Sequence, residues 1–122
     1  MTKTILIIED EEEISTLLSM RLKAQGYDVL VADDGLAGLE KAREHKPDLI
    51  ILDVGLPRLN GFEVCRMLKF DNQYKHIPIL MLTARSQAQD KKIGHEVGAD
   101  IYVPKPFDAQ DLLKRIGDVL QK

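Results

Sequence analysis

The alternation of short apolar runs with amphipathic segments restricts this chain to very few folds. Five apolar runs are predicted to be β-strands, at residues 4–9, 28–32, 48–53, 79–83 and 101–103. Five segments have helical periodicity or helix-start signals, at residues 14–25, 35–45, 61–70, 86–97 and from Asp108 onward. Near-continuous apolar strands that alternate with helices are typical of a parallel sheet covered by helices on both faces. The sequence therefore predicts an α/β domain of five βα units.

Local signals indicate where some of these helices begin and which side they bury. Asn60 and Asp108 are predicted N-caps, because their side-chain oxygens can accept hydrogen bonds from the free N–H groups of a first helical turn. Apolar stripes predict the buried side of the first and last helices. The residues of these stripes are Ile14, Leu17, Leu18 and Leu22, and Leu112, Leu113, Ile116, Val119 and Leu120.

Length, charge and cysteine content limit the class of protein. The 122 residues fit one domain across positions 1–122. A net charge of −3 argues against a general nucleic-acid surface, which would require clustered Lys and Arg. Cys65 is the only cysteine, so no internal disulfide can form, and we expect a buried apolar role for it in a reducing compartment. No stretch approaches the ~20 apolar residues of a membrane span, and no signal peptide is evident, which predicts a cytoplasmic protein.

Polar and charged residues follow several of the predicted strands. The first strand ends at Glu9-Asp10, the third at Asp53 and the fourth at Thr83, and the fifth runs into Lys105. Right-handed crossovers place all strand-to-helix loops at one edge of a parallel sheet, which is where such sheets bind ligands. Two carboxylates ~5 Å apart repel by roughly 3 kcal/mol at an effective dielectric constant of ~20. If the first and third strands are neighbours, a cation explains why three acids meet.

The residue types at this edge suit magnesium and phosphate chemistry. Carboxylates, with the carbonyl of Gly55 as a further oxygen ligand, suit Mg²⁺, and Mn²⁺ is an alternative. The hydroxyl of Thr83 and the ammonium of Lys105 can neutralise phosphoryl oxygens. An aspartate such as Asp53 is an accepted nucleophile toward phosphorus. The sequence therefore predicts transfer of a phosphoryl group onto an Asp.

Each of these residues has a structural interpretation when it is considered alone. Acids after a strand can be turn residues, and Glu11, Glu12 and Glu13 are expected to be a solvated helix start that matches the helix dipole. The three histidines lack metal-ligand spacing and are expected on the surface; they are His45, His76 and His95. Only the joint placement at one edge favours a functional site.

Four motifs, in this order, resemble the receiver domain of bacterial two-component response regulators, the group that includes the chemotaxis receiver. They are ILIIEDE, LDVGLPRLNG, MLTAR and GADIYVPKPF, and the resemblance covers the whole chain. It implies a flavodoxin-like, doubly wound (βα)5 fold with a parallel sheet in the strand order 2-1-3-4-5. It also implies a phosphoacceptor signalling switch.

The resemblance implies a role for each matching residue. Asp53 would accept the phosphoryl group of a phosphohistidine on a sensor histidine kinase or a phosphotransfer protein. Asp10 would bind Mg²⁺ directly, Glu9 through water, and Gly55 through its carbonyl. The residues that would hold the phosphoryl oxygens are Thr83, the amide of Ala84, and Lys105.

The resemblance also implies how the signal leaves the site. Thr83 would move toward the phosphate while Tyr102 turns inward behind it, and the surface of the last two helices and last strand would then bind a downstream protein. Phosphorylation-dependent dimerisation is left open. The Lys105-Pro106 bond is a candidate for the cis form, which is essentially confined to proline.

Two positions depart from the usual family pattern. Glu9 stands where Asp is usual, which is compatible with a water-mediated role. Gly55 stands where a larger side chain often shields the acceptor. We hypothesise that Gly55 leaves the acyl phosphate open to water and shortens its lifetime.

Two other functions are alternatives to a signalling switch. A Mg²⁺-dependent enzyme with an aspartyl-phosphate intermediate often carries a second Asp two residues after the nucleophile, where this chain has Gly55, and it needs a substrate pocket. A nucleotide-binding Rossmann-type module needs a Gly-rich turn after the first strand, where this chain has EDEEE. We therefore expect that the protein catalyses its own phosphorylation and dephosphorylation but does not turn over an external substrate.

Overall fold

A computed structural model describes residues 2–83, 92–93 and 96–121 of the chain. The strands are β1 (Thr4–Ile8), β2 (Asp28–Ala32), β3 (Leu49–Asp53), β4 (Ile79–Thr83) and β5 (Ile101–Pro104). The helices described in full are numbered here α1 (Glu12–Ala24), α2 (Gly35–His45), α3 (Gly61–Lys69) and α4 (Ala109–Leu120). The helix predicted over 86–97 falls largely outside the described residues; its described members Lys92, Ile93 and Glu96 are helical.

The five strands form one parallel sheet in the order β2-β1-β3-β4-β5, as predicted. β1 and β3 are therefore direct neighbours, with Ile8 in register with Leu52. The connection after β2 crosses over β1 to β3, so the strand order reverses at β1 and β3. This reversal creates the crevice at the carboxyl ends of β1 and β3 in which open α/β sheets bind ligands.

The sheet is apolar on both faces, because the central strands are covered by helices on each side. Alternate residues of each strand point to opposite faces. Leu6, Ile8, Ile50 and Leu52 join one core with α2 and α3, while Ile5, Ile7, Ile51 and Leu80 join a second core with α1 and α4. Cys65 is fully buried in the first core, which confirms its predicted apolar role.

The helix ends largely follow the local signals. The side chain of Asn60 accepts a hydrogen bond from the N–H of Glu63 at 3.0 Å, and that of Asp108 accepts one from the N–H of Gln110 at 2.9 Å. Both predicted N-caps are therefore confirmed. Asp34 caps α2 in the same way, through the N–H of Ala37 at 2.7 Å.

The predicted buried stripe of α1 was wrong at one position. Ser15, Leu18 and Leu22 are buried, whereas Leu17 is 44% exposed. Successive helical residues are separated by about 100° around the axis, so the face that contains Ser15, Leu18 and Leu22 turns Leu17 to the flank. In α4, Leu112 and Ile116 are buried and the other three residues of the predicted stripe are partly buried against the same core.

None of the helices in the described ranges combines the length and the apolar character that crossing a membrane requires.

Candidate functional site

The carboxyl edge of the sheet brings together side chains from four strand ends. Glu9 follows β1, Asp53 and Thr83 end β3 and β4, and Lys105 follows β5. Three of these side chains belong to nearly inaccessible residues, with 1% exposure for Glu9, 5% for Asp53 and 1% for Thr83. Asp10 is exposed beside them. The crevice is thus polar at its floor and open to solvent at its rim.

Three carboxylates converge in this crevice. One oxygen from each of Glu9, Asp10 and Asp53 lies within 4.8 Å of the others. β1 and β3 are paired neighbours, so this proximity follows directly from the strand order. The sequence predicted that these acids would converge if β1 and β3 were neighbours, and the geometry agrees.

Lys105 lies among these acids and contacts three carboxylates. Its Nζ is 2.9 Å from Oε1 of Glu9, 3.1 Å from Oδ1 of Asp53 and 3.4 Å from Oε1 of Glu11. The Lys105 side chain is only 13% exposed. One largely buried ammonium therefore faces three carboxylates, with the carboxylate of Asp10 close by.

Glu11 is a site contact that the sequence interpretation did not include. It was assigned to the solvated start of α1, and its N–H does lie at the helix entry, where it donates to Oε2 of Glu9 at 3.1 Å. Its own carboxylate also reaches Lys105. A local signal could not reveal this contact, because Glu11 and Lys105 are far apart in the sequence.

The electrostatics of the cluster are visible in two pKa shifts. Burial raises the pKa of Glu9 above its usual value, although the hydrogen bonds from Lys105 and from the backbone of Glu11 oppose the rise; the charge of Asp53 adds to it. Burial is also the largest single influence on Lys105 and would lower its pKa. The contacts with Glu9 and Asp53 together outweigh burial and raise the pKa of Lys105 to about 12. Lys105 therefore stays charged at any physiological pH.

Lys105 also contacts β4 through its backbone. Pro104 is in register with Thr83 but has no N–H to donate. The N–H of Lys105 donates instead to the carbonyl of Thr83. This bond joins the two predicted phosphate-binding residues Thr83 and Lys105, and the Lys105-Pro106 bond that follows is cis, as predicted.

The remaining predicted site residues have different surroundings. Gly55 is exposed in the loop after β3, and a Cβ built on it would lie 4.0 Å from Oδ2 of Asp53. Tyr102 is half-buried, in register with Met81, and packs against the core shared with α2 and α3. Ala84 lies outside the described residues, as does His95. His45 and His76 are exposed, as expected.

The donor set fits a hard divalent cation. Carboxylate oxygens are the ligands that Mg²⁺ and Mn²⁺ prefer, and a single ammonium does not balance the charge of these acids. The same arrangement can hold a phosphoryl group, because a buried carboxylate, that of Asp53, lies beside a fixed ammonium. The crevice therefore has the components for metal-assisted phosphoryl chemistry.

Comparisons with known proteins agree with this description. The family model for the response regulator receiver domain matches residues 5–117. The alkaline phosphatase synthesis transcriptional regulatory protein PhoP of Bacillus subtilis is 48% identical over 122 residues, which cover 100% of this chain and 50% of that protein. The chain spans about half the length of the curated relatives it matches.

Two solved structures show the same fold. A putative response regulator from Chloroflexus aurantiacus superimposes with a TM-score of 0.93 at 34% identity, and the match covers 100% of both chains. The receiver domain of the sensor histidine kinase PA1611 from Pseudomonas aeruginosa has a TM-score of 0.91 at 26% identity, with 100% of both chains covered. That structure was determined with a magnesium ion coordinated in its active site cleft.

Proposed function

Because the chain belongs to the receiver domain family of two-component response regulators, we propose that it is a phosphoacceptor switch in which Asp53 carries the signal. The observation that carries this proposal is the convergence of Asp53 with Glu9, Asp10 and Lys105 in one crevice. The fold by itself does not require buried acids at this edge, and their mutual repulsion has to be offset by Lys105 and a cation.

The proposed reaction is a direct transfer between two proteins. An oxygen of the Asp53 carboxylate attacks the phosphorus of a phosphohistidine on a sensor histidine kinase or a phosphotransfer protein. The P–N bond breaks, the imidazole nitrogen keeps the electron pair, and an acyl phosphate forms on Asp53. Mg²⁺ held by Asp10, Asp53 and the carbonyl of Gly55, with Glu9 acting through water, would supply positive charge to the phosphoryl oxygens.

Lys105 and Thr83 are the residues proposed to hold the phosphoryl group of the product. The ammonium of Lys105 is 3.1 Å from Oδ1 of Asp53. It can therefore pair with a phosphoryl oxygen as negative charge accumulates. The Thr83 hydroxyl and the Ala84 amide are proposed to bind the remaining oxygens.

The output of the switch is a change in surface. A phosphoryl group that binds Thr83 draws it inward, and Tyr102 follows, so that phosphorylation shifts the population between two surface arrangements. The surface formed by the last two helices and β5 is the proposed binding face for a downstream protein or for a second copy of the chain. We propose that this domain is cytoplasmic. We also propose that it contacts neither nucleic acid nor membrane directly.

We propose a switch rather than a turnover enzyme, and the sequence after Asp53 supports this. An enzyme with an aspartyl-phosphate intermediate often carries a second Asp two residues after the nucleophile as its acid/base, and here that residue is Gly55. The proposed chemistry is limited to the phosphorylation and dephosphorylation of the protein itself.

The proposal is tested with a small-molecule phosphodonor and MgCl₂. The wild type should gain one phosphoryl group by intact-mass spectrometry, and Asp53→Ala should gain none. A matched variant is Asp48→Ala, which removes an acid at the opposite end of β3, where it accepts from the N–H of Thr4 at 2.7 Å. This control should still be phosphorylated. The same adduct in Asp53→Ala would disprove the assignment of the acceptor.

The metal is tested separately, by stability. At a Mg²⁺ concentration a hundredfold above the dissociation constant, the free energy of unfolding should rise by about 2.7 kcal/mol. Asp10→Asn should remove this gain and leave the metal-free fold as stable or slightly more stable, because one like charge is lost from the cluster. An unchanged response to Mg²⁺ in Asp10→Asn would contradict the metal assignment.

A further inference from the structure

The loop between β3 and α3, residues 54–60, carries the proposed metal-binding carbonyl of Gly55 next to Asp53. Its base is closed by a hydrogen bond from the N–H of Gly61 to the carbonyl of Val54 at 2.9 Å. Gly61 also packs directly on the acceptor, since a Cβ at this position would lie 2.2 Å from the backbone oxygen of Asp53. These contacts fix where the loop leaves and rejoins the fold, but they do not fix its far side.

The far side of the loop lies against the first residue of α2. A Cβ added to Gly35 would lie 1.7 Å from the backbone oxygen of Leu59 and 2.7 Å from its carbonyl carbon. Real Cβ atoms essentially never approach another heavy atom closer than 3.0 Å. The backbone of α2 and the backbone of the loop are therefore in direct contact, and only a glycine allows this.

Hydrogen bonds and charge act in the same place. The N–H of Gly35 donates to the carbonyl of Pro57 at 3.4 Å, and the N–H of Leu59 donates to the same oxygen at 2.8 Å. Nε of Arg58 is 3.9 Å from Oδ2 of Asp34, the residue that caps α2. The Arg58 side chain is 71% exposed, so this ion pair contributes little. Leu56 anchors the start of the loop in the core shared with α2 and α3, and the backbone contact at Gly35 supports its end near Leu59.

We propose that Gly35 is a positioning residue for the phosphorylation site. Because Gly35 has no side chain, the N-terminus of α2 can contact the backbone of the 54–60 loop at Leu59. This contact sets the distance between the Gly55 carbonyl and Asp53. This inference rests on the proposed function, because it assigns Gly35 a role in metal binding without any contact to the metal. A Cβ at position 35 would push Leu59 outward and carry the loop away from the crevice.

Gly35→Ala, measured against two other glycine variants, tests this role. Gly38→Ala is one turn further along α2, and its Cβ would meet the side chain of Ile8 at 2.6 Å rather than the loop. Gly117→Ala adds a Cβ in α4 that meets nothing within 4 Å. Gly38→Ala therefore reproduces the destabilisation of a crowded helix, and Gly117→Ala reproduces the change in helix propensity.

The first readout is the dissociation constant for Mg²⁺, titrated as MgCl₂ at a temperature at which all variants are folded. Gly35→Ala should bind Mg²⁺ about tenfold more weakly than the wild type, because a shift on the order of 1 Å in a positioned group has large effects. Gly38→Ala and Gly117→Ala should stay within about twofold of the wild type. Equal affinities in Gly35→Ala and Gly38→Ala would overturn the proposal.

The second readout is amide hydrogen exchange without metal, which separates this inference from the proposed function. The amides of Leu59 and Gly61 should exchange faster in Gly35→Ala than in Gly38→Ala. A wild type that binds no Mg²⁺ would refute the proposed function and the metal-positioning role, whereas the exchange rates would still report whether Gly35 supports the loop. Unchanged exchange in Gly35→Ala would refute that support.

The wild type alone provides a third readout, which does not depend on the folding of any variant. The N–H groups of Gly35 and Leu59 donate to one oxygen, that of Pro57. If α2 and the loop are one mechanical unit, a single opening event exposes both amides, and the opening free energies obtained from their protection factors should agree. Opening free energies that differ between these two amides would overturn the proposal.

Discussion

The two ends of the sheet each contain a nearly buried lysine, but the two lysines have opposite surroundings. At the amino end, Lys69 is 11% exposed and its Nζ is 2.6 Å from Oδ2 of Asp100. The same ammonium donates to the carbonyls of Lys75 at 3.1 Å and Ile77 at 2.8 Å. Asp100 also accepts from the N–H of Ile79 at 2.8 Å. Within the described residues one cation therefore faces one anion, and carbonyls accept its remaining hydrogen bonds.

At the carboxyl end, Lys105 is 13% exposed, almost the same as Lys69. It faces three carboxylates, and the carboxylate of Asp10 lies within the same cluster. The two lysines are almost equally buried, so lysine burial does not distinguish the ends. The acids do, because the side chain of Asp100 is 44% exposed, whereas those of Glu9 and Asp53 are 0% and 7% exposed and belong to an excess of negative charge. At the amino end the positive and negative charges are equal in number, as in an ion pair that only stabilises the fold. The carboxyl end has an excess of negative charge that the fold does not need and that a cation can neutralise.

The largest expected effect is the slow reaction of the Cys65 thiol, which lies at the amino end of the sheet. Burial raises the pKa of Cys65 to about 12, the charge of Lys69 opposes this, and Sγ donates to the carbonyl of Val97 at 3.6 Å. The thiolate is the reactive form, so the folded protein at pH 8 should react with a disulfide reagent about a thousandfold more slowly than the unfolded chain. The reaction is followed by the absorbance of the released thiolate, in buffer and in denaturant. Rapid labelling of the folded protein would contradict the expectation that the amino end is closed to solvent.

The next largest effect compares the two lysines directly. Lys69→Met should lower the free energy of unfolding by roughly 2 kcal/mol, because it removes the charged donor from Asp100 and two carbonyls. Lys105→Met should also destabilise the metal-free protein, since it leaves the buried carboxylates of Glu9 and Asp53 without their cation.

Mg²⁺ should then separate the two variants. Chemical denaturation with and without about 10 mM MgCl₂ measures this. Mg²⁺ should offset a large part of the loss in Lys105→Met, because it supplies positive charge to the same carboxylates, and it should restore nothing specific to Lys69→Met. The exposed Lys114→Met in α4 is the control and should be near neutral. If Mg²⁺ restored the free energy of unfolding equally in both variants, the excess of negative charge at the carboxyl end would not form a specific cation site.

The smallest expected effect concerns the openness of the carboxyl end. A Cβ at Gly55 would lie 4.0 Å from Oδ2 of Asp53, so a longer side chain can cover the acceptor without displacing it. Gly55→Met should slow hydrolysis of the acyl phosphate about threefold, because water reaches phosphorus less easily. The decay of the phosphorylated mass after removal of the phosphodonor measures this lifetime. Decay that is no slower than in the wild type would show that Gly55 does not control access.

The sequence predicted much of the fold because the strands are nearly pure apolar runs between turn residues. In β3, the apolar residues Ile50, Ile51 and Leu52 are consecutive and all fully buried, so the apolar run predicts a strand that is covered on both faces. The error in α1 arises because a shift of one residue along a helix turns the predicted buried face by about 100°. Leu17 was expected to be buried, and Ser15, which is polar but buried, gave no apolar signal that would have corrected the helical face.

Glu11 shows why part of the site could not be predicted. Its position after an acidic pair and before a helix is fully explained by the helix dipole, so the local pattern gives no reason to look further. Its contact with Lys105 depends on how β1 and β5 are arranged across the sheet. A contact between residues this far apart in the chain leaves no periodicity in either segment.

The amino-acid sequence alone determined the βα alternation, the apolar layers and the delivery of Glu9, Asp10, Asp53, Thr83 and Lys105 to one edge, because these follow from local periodicity and the handedness of crossovers. Only the tertiary structure decided that one ammonium faces three carboxylates and that Gly35 lies in backbone contact with Leu59. The physical reason is range: periodicity is a property of neighbours along the chain, whereas charge balance and close backbone contact are properties of neighbours in space.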